Sequence, residues 1–235
     1  MRAAFVALFI LALPANAQTS TEVQRFSVYV SGLKAGTLQT VITKNGKAFS
    51  VSGTLSPTRF MRSIRDVGYA GQSSGTFGKT FTPRRYSGHT KTGDRTSKVQ
   101  MRFNGGVPSV DSYQPEREPR DYDIDPAKQR GVIAPLTAAA TVFRDQPSAT
   151  LCNRTIPMFD GRRRSELTLA PPTSEGDSAT CTGTYTRIAG FSPQDMQERV
   201  NFPFTLMYTR INADTYRLTS FTTKTTFGSL RAKRK

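Results

Sequence analysis

Alternation of apolar and polar residues dominates the first quarter of the chain. Residues 26–31 and 37–43 alternate in this way, which is typical of strands with one buried face, and a glycine-bounded loop separates them. Asn45-Gly46 comes next and favours a tight hairpin, because both central positions of such a turn need positive φ. Residues 47–55 then return to alternation. The pattern predicts a β-meander.

The same alternation recurs farther along the chain and predicts further strands. They cover residues 80–87, 97–103, 150–159, 163–169, 179–189, 202–211 and 216–226. Three stretches are predicted to lie outside strands. They are a glycine-rich connection at 68–78, a polar irregular segment at 111–129 and a loose basic tail at 230–235.

Helical spacing appears first in residues 56–65. Ser56 is the candidate N-cap and Pro57 suits the first turn. The apolar residues of one face are Phe60, Met61 and Ile64. The arginines at three-residue spacing are Arg59, Arg62 and Arg65, and they would point away from this face. Such a row is either a solvated face or a contact with an acidic lipid or polymer.

A second helix is predicted over residues 134–143. Pro135 suits its first turn, and an apolar stripe follows at Leu136, Ala139, Ala140 and Phe143. Ala134 precedes the proline and has no side-chain oxygen with which to cap the helix.

These elements together predict a mainly β protein. We expect an antiparallel, strongly curved sheet or open β-barrel with two short helices, one of them packed against the concave side or the mouth. No stretch has the composition of a linker, so residues 18–235 are expected to form a single β-rich domain.

The amino terminus has the pattern of a secretory signal peptide. Arg2 precedes the apolar run 3–13, and Ala15-Asn16-Ala17 matches a cleavage site, so residues 1–17 are expected to be removed before Gln18. The run is too short to span a bilayer, which needs roughly 20 residues. We therefore expect an exported protein whose mature chain has no transmembrane segment.

The chain has two cysteines, Cys152 and Cys181. In an exported protein two cysteines are expected to pair as a disulfide. Free thiols and a metal site are the alternatives, but there is no CxxC motif, and the single histidine, His89, is distant in sequence. No metal site and no cofactor are predicted.

The chain is strongly basic, with 33 Lys and Arg against 17 Asp and Glu, a formal net charge of +16. Such a surface attracts polyanions, and it also favours solubility without any partner. For an exported protein nucleic acid is not the expected partner. The candidates are anionic lipid, lipopolysaccharide or an acidic envelope polymer, and the candidate contacts are Arg59, Arg62, Arg65, Arg84 and Arg85.

Sequence motifs give little support for catalysis. His89 lies in a turn-like context without a nucleophile-elbow pattern, and no nucleotide-binding glycine motif occurs. Paired carboxylates for cleavage of a polysaccharide remain open, although no pair stands out. A binding or structural role is therefore favoured over an enzymatic one.

Three arginines follow the pair Asp160-Gly161, which raises the question of an anion site. A hairpin turn at Asp160-Gly161 is the favoured interpretation, with the arginines at 162–164 beginning the returning strand. Alternation would then separate Arg163 from its two neighbours, so the three could not face one anion.

Several short patterns resemble a family of exported bacterial proteins, Domain of Unknown Function 3108 (DUF3108). They are residues 29–36, 131–140, 151–153, 157–164, 181–185 and 189–191. The resemblance implies an antiparallel β protein in the envelope of Gram-negative bacteria and brings no catalytic residues. Where this family tends to have an aspartate before the helix proline, the chain has Ala134.

The leading functional hypothesis is a non-enzymatic periplasmic protein that binds an envelope component or maintains the envelope. A curved sheet can enclose an anionic amphiphile, with basic residues near its head group. The alternatives are an envelope scaffold that docks a protein partner and, less favoured, a hydrolase of wall or polysaccharide.

Overall fold

The computed structural model describes residues 19–225 and 228–235. The predicted signal peptide and its cleavage site lie outside the described residues. The strands within the described residues are β1 (Thr19–Val30), β2 (Leu33–Asn45), β3 (Ala48–Pro57), β4 (Val67–Phe77), β5 (Phe81–Thr92), β6 (Arg95–Asn104), β7 (Val107–Gln114), β8 (Gln146–Pro147), β9 (Arg154–Phe159), β10 (Arg164–Leu169), β11 (Thr173–Glu175), β12 (Ser178–Ala189), β13 (Asn201–Asn212), β14 (Thr215–Thr225) and β15 (Gly228–Arg234). The α-helices there are α1 (Arg59–Ile64), α2 (Pro135–Phe143) and α3 (Pro193–Glu198), and short 3-10 turns occupy Pro126–Lys128 and Ser148–Thr150.

The strands form one antiparallel sheet in the order β7-β6-β5-β4-β3-β2-β1-β15-β14-β13-β12-β10-β9. Most neighbours are consecutive hairpins, as the meander pattern predicted. β15 lies between β1 and β14 and so joins the two halves of the sheet. The sheet nearly closes into a barrel with one unsealed seam, between β7 and β9. The predicted fold class, a mainly β curved sheet or open barrel, is confirmed.

The segment before α2 lies along this seam. The Ile133 amide donates to the Pro157 carbonyl and the Phe159 amide donates to the Ile133 carbonyl, both at 3.0 Å, so residue 133 pairs with β9. The Gly131 amide donates to the Gly106 carbonyl at 2.9 Å, which ties the same segment to the turn after β6. Backbone polar groups on both sides of the gap thereby find partners. After this segment the chain turns into the barrel as α2.

Helix α2 fills the centre of the barrel, and Ala134, Thr137 and Ala138 are fully buried. One face of α2, including Leu136 and Ala140, packs in a core cluster with β2 to β6. Another face, including Ala138 and Val142, packs in a second cluster with β9 to β15. The Thr137 hydroxyl hydrogen-bonds the Ser73 hydroxyl of β4 at 2.7 Å, which anchors the helix to the sheet. The predicted helix and the missing cap at Ala134 are both confirmed.

The glycine-rich connection predicted at 68–78 is wrong, because β4 occupies these residues. Its glycines serve close packing. A Cβ at Gly71 would overlap the Tyr69 hydroxyl, and a Cβ at Gly75 would overlap the neighbouring backbone of β5. Glycine in a strand often marks such a close approach, which the pattern of apolar residues does not reveal.

The loose tail predicted at 230–235 is also wrong. Residues 228–234 form β15, in which Ala232 is buried and faces Val28 on one side and Phe221 on the other. The buried face is too small to stand out among the basic residues Arg231 and Lys233. The irregular segment predicted at 111–129 is corrected at its start, because β7 continues to Gln114.

One helix prediction is corrected, and one helix was missed. Helix α1 begins at Arg59 rather than near Ser56, and its N-cap is Thr58, whose side-chain oxygen accepts from the Met61 amide at 3.2 Å. Helix α3 was not predicted. Its capping box joins Ser192 and Asp195, a pattern that identifies a helix start only when a helical run follows it.

The two cysteines lie at disulfide distance, with Cα atoms 6.2 Å apart, as the pairing predicted. Cys181 is in β12. Cys152 was expected in a strand, but it precedes β9 and has a φ of 57°. Both side chains are buried in the cluster formed with β9 to β15.

Replacing both cysteines, Cys152→Ala with Cys181→Ala, should lower the free energy of unfolding. The cross-link closes a loop with a sequence separation of 29. Removing the cross-link increases the conformational entropy of the unfolded chain, which for a loop of this size should lower the free energy of unfolding by roughly 3–4 kcal/mol. Urea unfolding followed by circular dichroism measures the change. Reductant should destabilise the native protein to the same extent and leave the double variant unaffected. Equal stability of native and variant proteins would contradict the pairing.

Thr137→Val should destabilise the protein by about 1–3 kcal/mol, because it removes a buried hydrogen bond while keeping the side-chain shape. Thr21→Val is the matched control, since its hydroxyl contact with Thr43 is exposed and 3.4 Å long. The control should change stability by less than about 0.5 kcal/mol. Combining Thr137→Val with Ser73→Ala should cost less than the sum of the single changes. Full additivity would show that the two hydroxyls do not interact.

Candidate functional site

An apolar cavity of about 370 Å³ lies between α2 and the strands of the second half of the barrel. The wall formed by α2 consists of Pro135, Ala139, Val142 and Phe143. The opposite wall comes from β9, β10, β12, β13 and β14, and consists of Met158, Ser165, Leu167, Tyr185, Phe204, Leu206 and Phe221. We call this space the inner cavity. Its volume falls within the roughly 300–1,000 Å³ common for small-molecule sites.

The α2 wall of the inner cavity combines the small Pro135 and Ala139 with the larger Val142 and Phe143. Ala139 lines the same space as the aromatic rings of Phe204 and Phe221, so a larger residue at this position is expected to occupy part of it. These two rings are packed together, with centroids 5.6 Å apart. The opposite side of α2 carries Leu136, which is buried in the other core cluster.

One end of the inner cavity is polar and consists of Asp160, Ser165 and Tyr185. Asp160 lies in the turn between β9 and β10, where its Oδ1 accepts from the Arg162 amide at 2.9 Å and the Arg163 amide at 2.8 Å. Burial raises the pKa of Asp160, and these amides and the two arginines oppose that effect. Burial likewise raises the pKa of Tyr185, against a hydrogen-bonding contribution from Ser165.

Two arginines lie near this polar end. Arg163 is exposed, and its guanidinium stands 5.3 Å from the centroid of the Phe191 ring. Arg187 lies over the same ring at 5.3 Å and over Phe202 at 5.0 Å. The positive charges of both arginines lower the pKa of Tyr185. The polar end of the inner cavity therefore has positive charge from the solvent-exposed Arg163 and from Arg187 near the carboxyl group of Asp160, whose charge raises the pKa of Tyr185.

The three consecutive arginines diverge. Arg162 stacks on the Tyr113 ring at 3.6 Å, and its guanidinium donates to the Pro115 carbonyl at 2.9 Å, so it links the turn to the chain beyond β7. Arg163 points towards Phe191, and Arg164 lies 3.7 Å from the Glu166 carboxylate. The predicted turn at Asp160 and Gly161 is confirmed. The explanation by strand alternation is wrong, because β10 starts only at Arg164 and the first two arginines belong to the turn.

A second concavity, of about 500 Å³, lies on the outer face of β2 to β7. Exposed small polar residues line much of it, among them Ser50, Ser52 and Ser87. It also includes Arg102, paired with Asp111 at 2.8 Å, and the exposed Arg85. The inner cavity is the stronger candidate site despite its smaller volume, because its apolar wall can remove ligand surface from water.

The structure does not bring the predicted anion contacts together. Arg59 and Arg62 lie on α1, and Arg65 is its C-cap. Arg84 and Arg85 lie on β5, far along the sheet from α1, and both are exposed. These residues therefore form two separate groups, and only Arg85 lines a concavity.

The single histidine and the potential metal ligands can be located among residues 19–225 and 228–235. His89 is exposed on β5, away from both concavities. Within these residues no group of His, Cys, Asp and Glu side chains could hold a metal ion. Searched over the same residues, the helices include none long and apolar enough to cross a membrane.

Sequence reasoning missed the lining residues Ser165 and Tyr185. The alternation of Ser165, Leu167 and Leu169 does mark the inward face of β10, where Ser165 and Leu169 are buried and Leu167 lines the inner cavity. The alternation does not show that an open space lies in front of these residues, because that space also depends on α2, which is distant from β10 in the chain.

The fold and the site define a class of protein: a nearly closed antiparallel barrel that is filled by one helix and keeps an apolar cavity with a polar end. The family described as "Protein of unknown function (DUF3108)" matches residues 25–233, so the chain belongs to this family. The family match agrees with the resemblance noted in the sequence. No curated protein and no solved structure matches the chain.

The Asp160→Asn variant should gain stability relative to the native protein as pH rises above about 3.8, which is the ordinary pKa of the Asp carboxyl group. Because burial raises the pKa of Asp160, the folded protein holds this proton more tightly than the unfolded chain does. The free energy of unfolding of the native protein therefore falls as pH rises from 3.8 to the raised pKa of Asp160. Above that pKa, the difference in stability between the variant and the native protein no longer changes with pH. The amide oxygen of the variant can still accept both turn hydrogen bonds.

Urea unfolding of both proteins at a series of pH values measures this difference. Asp160→Ala is the control, because it loses the two turn hydrogen bonds and should be destabilised at every pH. A variant that loses stability relative to the native protein as pH rises would show that the pKa of Asp160 is lowered instead.

Proposed function

We propose that the protein binds an anionic amphiphile in its inner cavity and serves as a non-enzymatic component of the bacterial envelope. The observation that carries this proposal is the apolar cavity of about 370 Å³ with a single polar end. An acyl chain would lie along α2 against Leu206 and Phe221, where burial removes its surface from water. The head group would lie near Asp160, Ser165 and Tyr185.

The polarity of the site supports an anionic head group. Arg163 is exposed beside the polar end and can approach a carboxylate or phosphate there. The hydroxyl groups of Ser165 and Tyr185 can donate hydrogen bonds to the same group. The turn amides of Arg162 and Arg163 donate to the Asp160 carboxylate and partly offset its charge, which reduces repulsion of an anion. At the polar end, Asp160 therefore opposes an anion only weakly, while the hydroxyl groups of Ser165 and Tyr185 favour it.

The proposal places the protein in the periplasm, where amphiphiles with anionic head groups are abundant. The signal-peptide pattern of residues 1–17 supports this location, and the net charge of +16 favours attraction of anions. A periplasmic carrier or sensor of such molecules needs an enclosed apolar site, and it needs no metal or nucleophile.

Ala139→Phe should weaken amphiphile binding at least about tenfold, which corresponds to roughly 1.4 kcal/mol. The added ring would fill the middle of the inner cavity. Displacement of a dansyl-labelled undecanoic acid by palmitate measures the affinity, and native mass spectrometry of protein purified from cells detects a bound amphiphile. Circular dichroism checks that the variant is folded.

Ala70→Phe is the matched control, because Ala70 is exposed on β4 and the same enlargement leaves the inner cavity open. Arg163→Gln should reduce affinity for the fatty acid up to about fivefold and leave affinity for the corresponding fatty alcohol unchanged. Absence of any bound amphiphile, together with equal probe binding by the native protein and Ala139→Phe, would refute the proposed function.

A further inference from the structure

We propose that the end of the barrel carrying α1 docks on an anionic lipid surface. The surface consists of Leu33, Lys34, Arg59, Phe60, Arg62 and Ile64, and we call it the α1 rim. The inference has its own observations and stands whether or not the inner cavity holds an amphiphile.

The α1 rim holds the three most exposed large hydrophobic side chains among the described residues. Ile64 is 63% exposed, Leu33 60% and Phe60 57%, whereas the next, Val23, is 45% exposed. Sequence reasoning placed Phe60, Met61 and Ile64 on one apolar face. In the structure Met61 packs against the core, whereas Phe60 and Ile64 are exposed. Phe60 and Ile64 are one helical turn apart and lie side by side in solvent.

The hairpin and the helix of the α1 rim are joined directly. The Thr58 amide donates to the Ala35 carbonyl at 2.8 Å, and the Thr58 hydroxyl donates to the Lys34 carbonyl at 3.4 Å. With Met61 packed on the core, these bonds hold α1 against the hairpin that carries Leu33. The exposed apolar side chains therefore belong to one continuous surface rather than to separate loops.

The charge of the α1 rim complements an anionic surface. Lys34, Arg59 and Arg62 are exposed beside the apolar residues, and no acidic residue occurs in residues 33–35 or 58–65. The nearest acidic residue after the helix, Asp66, is paired with Lys91 at 2.7 Å. Exposed Phe and Ile side chains flanked by Arg are typical of segments that lie at the boundary between head groups and acyl chains.

Strand register places the α1 rim at the same end of the barrel as the polar end of the inner cavity. Val30, beside the first hairpin turn, faces Leu230 of β15, and Leu230 faces Thr223 of β14. Strand direction then alternates through β13, β12, β10 and β9, so the start of β10 and the turn that carries Asp160 lie at this same end. Docking through the α1 rim would turn this end of the barrel, with Arg163, towards the lipid head groups.

The chain contains no tryptophan, so Phe60→Trp introduces a single fluorescent reporter at the α1 rim. Vesicles of phosphatidylcholine with phosphatidylglycerol should shift its emission to the blue, because the indole leaves water. Vesicles of phosphatidylcholine alone should cause little shift. Met207→Trp is the matched control, since Met207 is 43% exposed on β13 outside the α1 rim, and its emission should not move.

Vesicle sedimentation tests the contribution of each kind of residue. The double change Phe60→Ser with Ile64→Ser should weaken binding to anionic vesicles at least about tenfold, because it removes the inserted apolar surface. Val23→Ser with Met207→Ser should bind as the native protein does. Arg59→Glu with Arg62→Glu should also weaken binding at least about tenfold. Arg84→Glu with Arg85→Glu, which has the same net charge, should retain most of the affinity.

Three results would overturn the proposal. In the first, the native protein does not bind anionic vesicles. In the second, the α1 rim variants and their matched controls lose vesicle affinity equally. In the third, the emission of Phe60→Trp shifts to the blue only when an envelope protein, instead of lipid, is added. Ala139→Phe should bind vesicles normally while losing the soluble amphiphile. Failure of the proposed function and failure of membrane docking are thus distinguished.

Discussion

The width of the barrel is the constraint on which the other features depend. The interior of a barrel of about eight strands can be filled by its own side chains, and larger barrels leave open space. Here the continuous path β7 to β9 contains thirteen described strands, too many for strand side chains to meet across the centre. Helix α2 supplies the missing volume, and the two core clusters lie on its two sides. The seam follows from the same requirement, because the chain passes along it to enter the barrel.

A helix inside a barrel must satisfy its polar ends without solvent. At the carboxyl end, the buried Gln146 side-chain amide donates to the Thr141 carbonyl, and the Tyr208 hydroxyl donates to the Val142 carbonyl at 3.0 Å. Within the helix, the Thr141 hydroxyl donates to the Thr137 carbonyl at 2.9 Å. These contacts fix α2 at one height in the barrel. The inner cavity is therefore part of the packed structure, since the fixed helix presents Pro135 and Ala139 where larger residues would close the space.

The parts of this fold that depend on local pattern could be predicted from the sequence, and the parts that depend on distant packing could not. Alternation and turn residues predicted most hairpins and the position of α2. Alternation failed in β4, where Gly71 and Gly75 accommodate a tyrosine ring and neighbouring backbone, and in β15, where the buried face is little more than Ala232. The inner cavity requires knowing that α2 and β10 face each other. The exposure of Phe60 required the actual position of α1, because helical spacing alone predicts that an apolar face is buried.

The large positive charge is likewise a poor guide to function until each arginine is placed. Several arginines stack on aromatic rings and act as packing residues, such as Arg162 on Tyr113 at 3.6 Å and Arg199 on Phe202 at 4.8 Å. Others satisfy backbone carbonyls, as Arg154 does with the Cys152 carbonyl at 3.1 Å. Stacked arginines keep their charge but lose the freedom to follow a ligand. The exposed arginines are spread over several parts of the surface, including Arg84 and Arg85 on β5, so the net charge alone selects no site. Arg59 and Arg62 differ from the rest in lying beside exposed apolar side chains, and Arg163 differs in lying beside the polar end of the inner cavity.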